Sequence, residues 1–262
     1  MPTKWVSAAV AVLACLWSAV PAGVRAATCP TPMDAITTDR PDVTNSSLVV
    51  PTGSLQAENG VNIVGQGHSQ SLDATNTRLR LGAAECLEIL FDVPTYFARL
   101  RGQSPSGFSG ATPAIKRQLD FLPAGFTLSA TAGLGLPTGD RPLGGNGYGP
   151  YLQFPWARDL PHGWGVSGMV TEFFHTREAA RNAVTEATFV VSREMTPDVE
   201  LFVEYVGEYP ARARASHLIN SGALYRVTPT QQIDFHTGGG VSDNAPDYFF
   251  GLGYSIRWDG LF

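Results

Sequence analysis

Tyr248-Phe249-Phe250-Gly251-Leu252-Gly253-Tyr254-Ser255-Ile256-Arg257-Trp258-Asp259-Gly260-Leu261-Phe262 closes the chain, and its period decides the fold. Tyr248, Phe250, Leu252, Tyr254, Ile256 and Trp258 are large and apolar, whereas Gly251, Gly253, Ser255 and Arg257 between them are small or polar. Successive side chains of a β-strand point to opposite faces of the sheet. One face of this segment is therefore apolar enough for lipid and the other suits water, the pattern of a transmembrane β-barrel strand. The edge of a soluble sandwich would alternate in the same way, so the rest of the chain must choose.

Twelve segments read as strands by this criterion: 54–66, 75–83, 86–94, 113–122, 125–137, 148–159, 163–174, 183–194, 198–208, 216–227, 231–239 and 247–258. Phe126, Leu128, Ala130, Ala132, Leu134 and Leu136, alternating with Thr127, Ser129, Thr131, Gly133 and Gly135, form a clear case. The segment around Trp164 to Phe174 carries apolar residues on both phases and cannot be oriented. Twelve is even, as a closed bacterial barrel requires. The connections sort by length. Short ones fall at 83–85, 123–124, 160–162, 195–197 and 228–230, and long ones rich in Gly, Pro, Ser, Asn and Asp near 67–74, 95–112, 138–147, 175–182, 209–215 and 240–246. That is the rhythm of short periplasmic turns and longer outer loops, and a sandwich has no reason to keep it. The expected fold is an all-β, antiparallel transmembrane barrel of 12 strands over residues 54–262. Trp258 and Phe262 resemble the closing aromatic signal that such proteins present to the barrel assembly machinery.

The other end of the chain points to the same membrane. Met1 to Ala26 combines Lys4, an apolar run from Trp5 to Val20, the break Pro21-Ala22-Gly23 and small residues before a cut after Ala26, the plan of a secretory signal peptide. A lipidated Cys15 would leave Leu16 to Arg25 without a role. Residues 27–53, punctuated by Pro30, Pro32, Pro41 and Pro51, show no usable alternation and should be an irregular arm, hanging in the periplasm or folded into the lumen. Removing residues 1–26 takes two of the 18 basic residues and none of the 23 acidic ones, leaving a net charge of −7. That balance argues against nucleic acid as a partner. No later run of apolar residues is long enough for a transmembrane helix. Two cysteines remain, Cys29 and Cys86, both expected on the periplasmic side, where one disulfide could join them.

If the apolar phase faces lipid, the other phase lines the lumen with Arg78, Arg80, Glu88, Asp92, Lys116, Asp120, Glu186, Glu200, Glu204, Glu208, Arg226, Asp234, His236 and Arg257. These charges would be costly at the bilayer midplane. They can either hydrate a pore or pair across strands and fill it. A barrel of 12 strands lies between sizes that close on their own side chains and sizes that leave a channel. Glu200, Glu204 and Glu208 share one face at intervals of roughly 13 Å, too far apart for a shared proton or metal, and Arg226 on the next strand is a partner for them. His236 with Asp234, and Ser242 in the adjoining loop, is the one grouping that could do acid–base chemistry. No spacing suggests a metal site and no Gly-rich loop a nucleotide, so no cofactor is expected.

Several short patches, in order, resemble a known family. They are Thr38-Asp39-Arg40-Pro41-Asp42, Val50-Pro51-Thr52-Gly53-Ser54-Leu55-Gln56-Ala57-Glu58, Leu79-Arg80-Leu81-Gly82 with Leu87-Glu88, Gly107-Phe108-Ser109 with Lys116, Leu136-Pro137-Thr138-Gly139-Asp140, and Ala245-Pro246-Asp247 with the last strand. The chain resembles an outer-membrane transporter family labelled for the meta-pathway of phenol degradation. It departs from the family at Gly110, where an acidic residue is expected, and at Ala83-Ala84-Glu85-Cys86, which replaces a more polar turn. The resemblance implies a barrel that passes small molecules and brings no catalytic residues. The expectation is a non-enzymatic channel or transporter in the outer membrane of a Gram-negative cell, passing small, aromatic or apolar compounds. Its partners are lipid, the assembly machinery and the solute. The alternatives are a barrel-embedded lipid-modifying enzyme and a closed structural or adhesive surface barrel.

Overall fold

The computed structural model describes residues 35–119, 125–144, 147–174 and 183–262. Fifteen strands run in chain order: β1 Leu55–Gln66, β2 Ser69–Ala74, β3 Arg78–Ala84, β4 Leu87–Asp92, β5 Tyr96–Arg101, β6 Gly107–Phe108, β7 Thr112–Leu119, β8 Phe126–Gly135, β9 Gly149–Leu160, β10 Trp164–Phe173, β11 Val184–Thr196, β12 Val199–Pro210, β13 Ser216–Thr228, β14 Gln231–Gly240 and β15 Tyr248–Trp258. Neighbours pair antiparallel in the order β1, β3, β4, β7, β8 and so on to β15, which returns to β1 from Leu55 opposite Trp258 to Gly65 opposite Tyr248. This closes a barrel of twelve staves and leaves no free edge.

The extra strands are outward continuations of three staves. β2 and β3 are one stave interrupted at 75–77, where Thr75 takes φ +53. β4 and β5 break at 93–95, and β6 and β7 at 109–111, so a crease crosses the wall. This corrects two of the expected outer loops. Residues 69–74 are strand and pair with β1 and β5 across a tight turn at Gly67-His68, and much of 95–112 is β5 and β6. Alternation did not show them, since Leu72 is the one large apolar residue of β2 and Arg99 and Arg101 interrupt β5, so neither has a uniform apolar face.

Alternation sorts the wall as its residue types require. In β14, Gln232, Asp234 and His236 turn inward and are buried, while Ile233 and Phe235 are 46% and 43% exposed on the outside. Leu252 at 62% and Val203 at 55% are on the same outer surface. Such a continuous apolar exterior is disfavoured in water and is at home in hydrocarbon. β10 is now oriented: Met169 and Thr171 are buried inside and Trp164 and Val170 lie outside. Its mixed phases arise because Met169 faces protein rather than open lumen.

Candidate functional site: an arm seated in the lumen

The arm enters at the short-turn end, where Ile36 N–H donates to Pro229 O (2.7 Å) and Arg257 Nη1 to Ala35 O (3.2 Å). It rises into the barrel and returns to β1, where Gly53 N–H donates to Gly82 O (2.9 Å). The sequence left its position open, and the lumen is the answer. Pro41, Pro51 and the run of Thr, Asn and Ser keep it from extending as a strand, so its backbone donors need other acceptors. The wall acids supply them. Glu58 accepts from Asp39 N–H (2.9 and 3.1 Å), Glu204 from the N–H groups of Val43 (2.9 Å) and Thr44 (2.8 Å), and Glu88 from Val50 N–H (2.7 Å). Gln118 accepts from Val49 N–H at 3.3 Å. In return Arg80 donates to Thr37 O and Leu48 O, both at 3.1 Å.

Asp39 is the keystone. Its carboxylate lies 3.0 Å from Arg78, 3.2 Å from Arg80 and 3.3 Å from Lys116, and takes Ser46 N–H at 2.9 Å. Burial by itself would push this carboxyl up, but Arg80, Lys116 and Arg78 outweigh it and hold the group well below the usual carboxylate range. Glu58 and Glu88 bind Arg80 from two more sides at 2.9 and 2.7 Å, and Asp92 binds Arg78 at 2.6 Å. The side chains of Arg80, Lys116, Asp39, Glu58 and Glu88 are at most 1% exposed. Asp42 has the opposite surroundings: burial, then Glu204, Glu200 and Asp39, raise its carboxyl well above the usual value.

Arg40 fills a second socket on the seam where the barrel closes. Gly60 of β1 and Gly253 of β15 are register partners, and a Cβ on Gly60 would stand 2.2 Å from the guanidinium carbon. The bare backbone of that pair is the floor on which Arg40 lies, 3.3 Å from Asp234 on β14. Higher up, Thr44 bridges to Thr188 and Glu204, and Asn45 donates to Gln153 at 2.7 Å.

The expected lumen residues therefore divide. Arg78, Arg80, Glu88, Lys116, Glu204, Asp234 and Arg257 meet the arm. Glu200 pairs with Arg226 at 3.4 Å, across the strands as expected. Glu186 stands opposite Glu208 in register, and Asp120 lies outside the described residues. Sequence reasoning missed Gln56 and Glu58 on β1, and gave Asp39 and Arg40 no role. The available signal was an arm carrying its own charges beside a wall with many buried ones. Cys86 is in a disulfide whose partner lies outside the described residues. The grouping of Ser242, His236 and Asp234 is not assembled: Asp234 turns to Arg40, His236 Nε2 is 2.9 Å from Asn62 Oδ1, and Ser242 accepts from His217 N–H.

Above the arm, two ring pairs stand on roughly opposite walls. Tyr151 on β9 meets Phe173 on β10 at 5.8 Å, and His236 on β14 meets Phe249 on β15 at 5.7 Å. Gly133 and Gly238 beside them have no room for a Cβ against Tyr151 and Phe249. Below the arm, a cavity of about 640 Å³ opens between Ile36, Glu194, Pro197 and Arg226.

Residues 38–258 match the family described as "Putative MetA-pathway of phenol degradation". The chain belongs to this family. Its patches are structural joints: Asp140 N–H donates to Phe108 O at 2.8 Å, and Phe108 N–H to the Asp140 carboxylate at 2.9 Å. The departure at Gly110 has a steric reason in this chain, because a Cβ there would lie 2.1 Å from Leu136 O. No curated protein matches the sequence. Among solved structures, an outer membrane channel from Pseudomonas putida F1 shares 15% identity at a TM-score of 0.66, over 80% of this chain and 97% of that one. The NanC porin follows at 9% identity and 0.56, over 77% and 98%. The KdgM porin in complex with disordered oligogalacturonate stands at 11% and 0.52, over 78% and 98%. The family member described here thus has the fold of outer-membrane β-barrels, and its apolar exterior places it in the outer membrane.

Proposed function

We propose that this chain is a channel for small solutes of aromatic or apolar character, narrowed by its own arm, and that it catalyses no reaction. The carrying observation is how the arm is held. Among the described residues, no hydrogen bond joins the main chain of 37–50 to the main chain of a strand. Side chains hold it instead, and water can replace side-chain contacts one at a time, so the segment is built to be displaced without unfolding the wall. Solute would enter past the ring pairs Tyr151–Phe173 and His236–Phe249, and leave through the cavity beside Ile36 and Arg226. The aromatic preference rests on those rings together with the family description. Lipid and the assembly machinery, reading the closing strand through Trp258 and Phe262, are its other partners in this reading. Residues 1–26 act as its secretory signal.

Planar bilayers test the channel. Protein lacking residues 27–50, folded as shown by heat-modifiable mobility, should conduct several times more than the intact chain. Silence of both forms would end the reading and favour a closed surface barrel. Liposome uptake of phenols against sugars of similar size tests the preference, and equal rates would remove it.

A further inference from the structure

Among the described residues, the outward phase of the wall near its short-turn end carries arginines on one side only. Arg117 lies two residues before the end of β7, Arg158 two before the end of β9, and Arg193 three before the end of β11. All three are at the short-turn end and on the outward phase: Lys116 and Gln118 flank Arg117 inside, and Arg158 and Arg193 are exposed on the phases of Phe154 and Val191. The intervening staves place rings beneath two of them. Arg158 lies 4.7 Å over Phe126, its register partner on β8, and Arg193 lies 5.0 Å over Trp164, its partner on β10. On the other staves the same level is uncharged: Leu55 on β1 faces Trp258 and Leu81, Leu87 on β4 is the register partner of Arg117, and Tyr225 lies on β13. Among the described residues none of the three arginines has a carboxylate partner. The neighbouring acids Asp159, Glu194 and Glu200 belong to the inward phase.

An arginine on the lipid-facing wall is costly at the midplane and nearly free at the interface, so these three must sit at headgroup level. Stacking on Phe126 and Trp164 holds two of the cations in place and leaves their N–H forks free to bind an oxyanion. A guanidinium fork matches phosphate in two-point geometry. We propose that staves β7 to β11 form a binding strip for anionic glycerophospholipid headgroups of the periplasmic leaflet, with Arg117, Arg158 and Arg193 as the phosphate-binding residues. The strip fixes an annulus of acidic lipid on one side of the barrel and leaves the Trp258 side without preference.

The test uses Trp164 as a local reporter in refolded protein carrying W156F and W258F, with quenching by phosphatidylglycerol or phosphatidylcholine brominated near the ester end of the chains. At low salt, phosphatidylglycerol should associate about fivefold more strongly at this site, the effect of one well-placed arginine. The preference should shrink in 0.5 M salt, as screening requires. It should fall to near unity in the additional variant R117Q/R158Q/R193Q. The companion protein that keeps only Trp258 should show no preference. Equal quenching by the two lipids at Trp164, or a preference that survives the triple change, overturns the proposal. If the triple variant does not refold, the comparison of Trp164 with Trp258 decides by itself: equal preference at both sites refutes a one-sided strip.

Discussion

Replacing Asp39 by Asn should free the arm while leaving the barrel intact. The substitution keeps the volume and removes the charge that three cations share, at 3.0 Å from Arg78, 3.2 Å from Arg80 and 3.3 Å from Lys116. Arg80 keeps Glu58 and Glu88, and Arg78 keeps Asp92. Lys116, fully buried, loses the anion it is paired with and keeps at most a neutral amide oxygen as acceptor. Removing one partner of a buried pair costs about 3–5 kcal/mol, chiefly because the other charge is left uncompensated. Undocking lets water reach Lys116, so the lower end applies, about 3 kcal/mol or a hundredfold in the ratio of undocked to docked arm. Cleavage of the arm by a nonspecific protease, on protein that remains heat-modifiable, tracks that ratio when opening and closing are fast. The rate should rise about a hundredfold, and adding Lys116→Met should recover a factor of about ten by removing the stranded charge. Wild-type cleavage of Asp39→Asn would show that the cation cluster does not hold the arm.

Acidification should tighten the arm. Docking raises the Asp42 carboxyl, so docking is penalised at pH above its free value of 3.8, increasingly until the raised docked value is passed, and the penalty is relieved as pH falls. Asp39 acts in the other direction, but its lowered value keeps it ionised through mildly acidic pH. Conductance should therefore decrease from pH 7.5 to 5, and Asp42→Asn should flatten that dependence; an increase on acidification would contradict it. Gly60→Ala drives a Cβ into the Arg40 socket and should raise arm cleavage about tenfold without loss of the barrel, read by the same protease assay. Gly110→Asp installs, against Leu136 O, the acidic residue that the family resemblance leads one to expect and should lower the unfolding temperature in detergent by several degrees; an unchanged value would show that the loop 136–140 yields. Deleting Phe262 should reduce membrane levels more than conductance per inserted molecule, checked by immunoblot of outer membranes, and normal levels would remove its role as a signal.

Membrane-facing alternation made nearly every stave readable, because hydrocarbon on one side and protein or water on the other punish a misplaced side chain at each step. The predicted 183–194 and 231–239 differ from β11 and β14 by one or two residues. Where that contrast vanishes, so does the signal: Ser69–Ala74 has Leu72 as its one large apolar residue, and Arg99 and Arg101 interrupt Tyr96–Arg101, so no apolar face marks either strand. The arm was recognisable as irregular from its prolines, but its location was not. The same Asp39 would be unremarkable in a solvated tail.

The order of the chain thus determined the number of staves, the face each side chain occupies and the membrane that surrounds them, since these follow from a period of two and from connection lengths. Only the closed barrel decided what the inward charges do. Asp39 meets Lys116 across 77 residues of sequence, and Arg40 meets Asp234 across 194. Such pairings obey no local period. They exist because closure brings β1, β3, β4, β7 and β14 around one small volume, and a segment with its own donors and acceptors had to fill it.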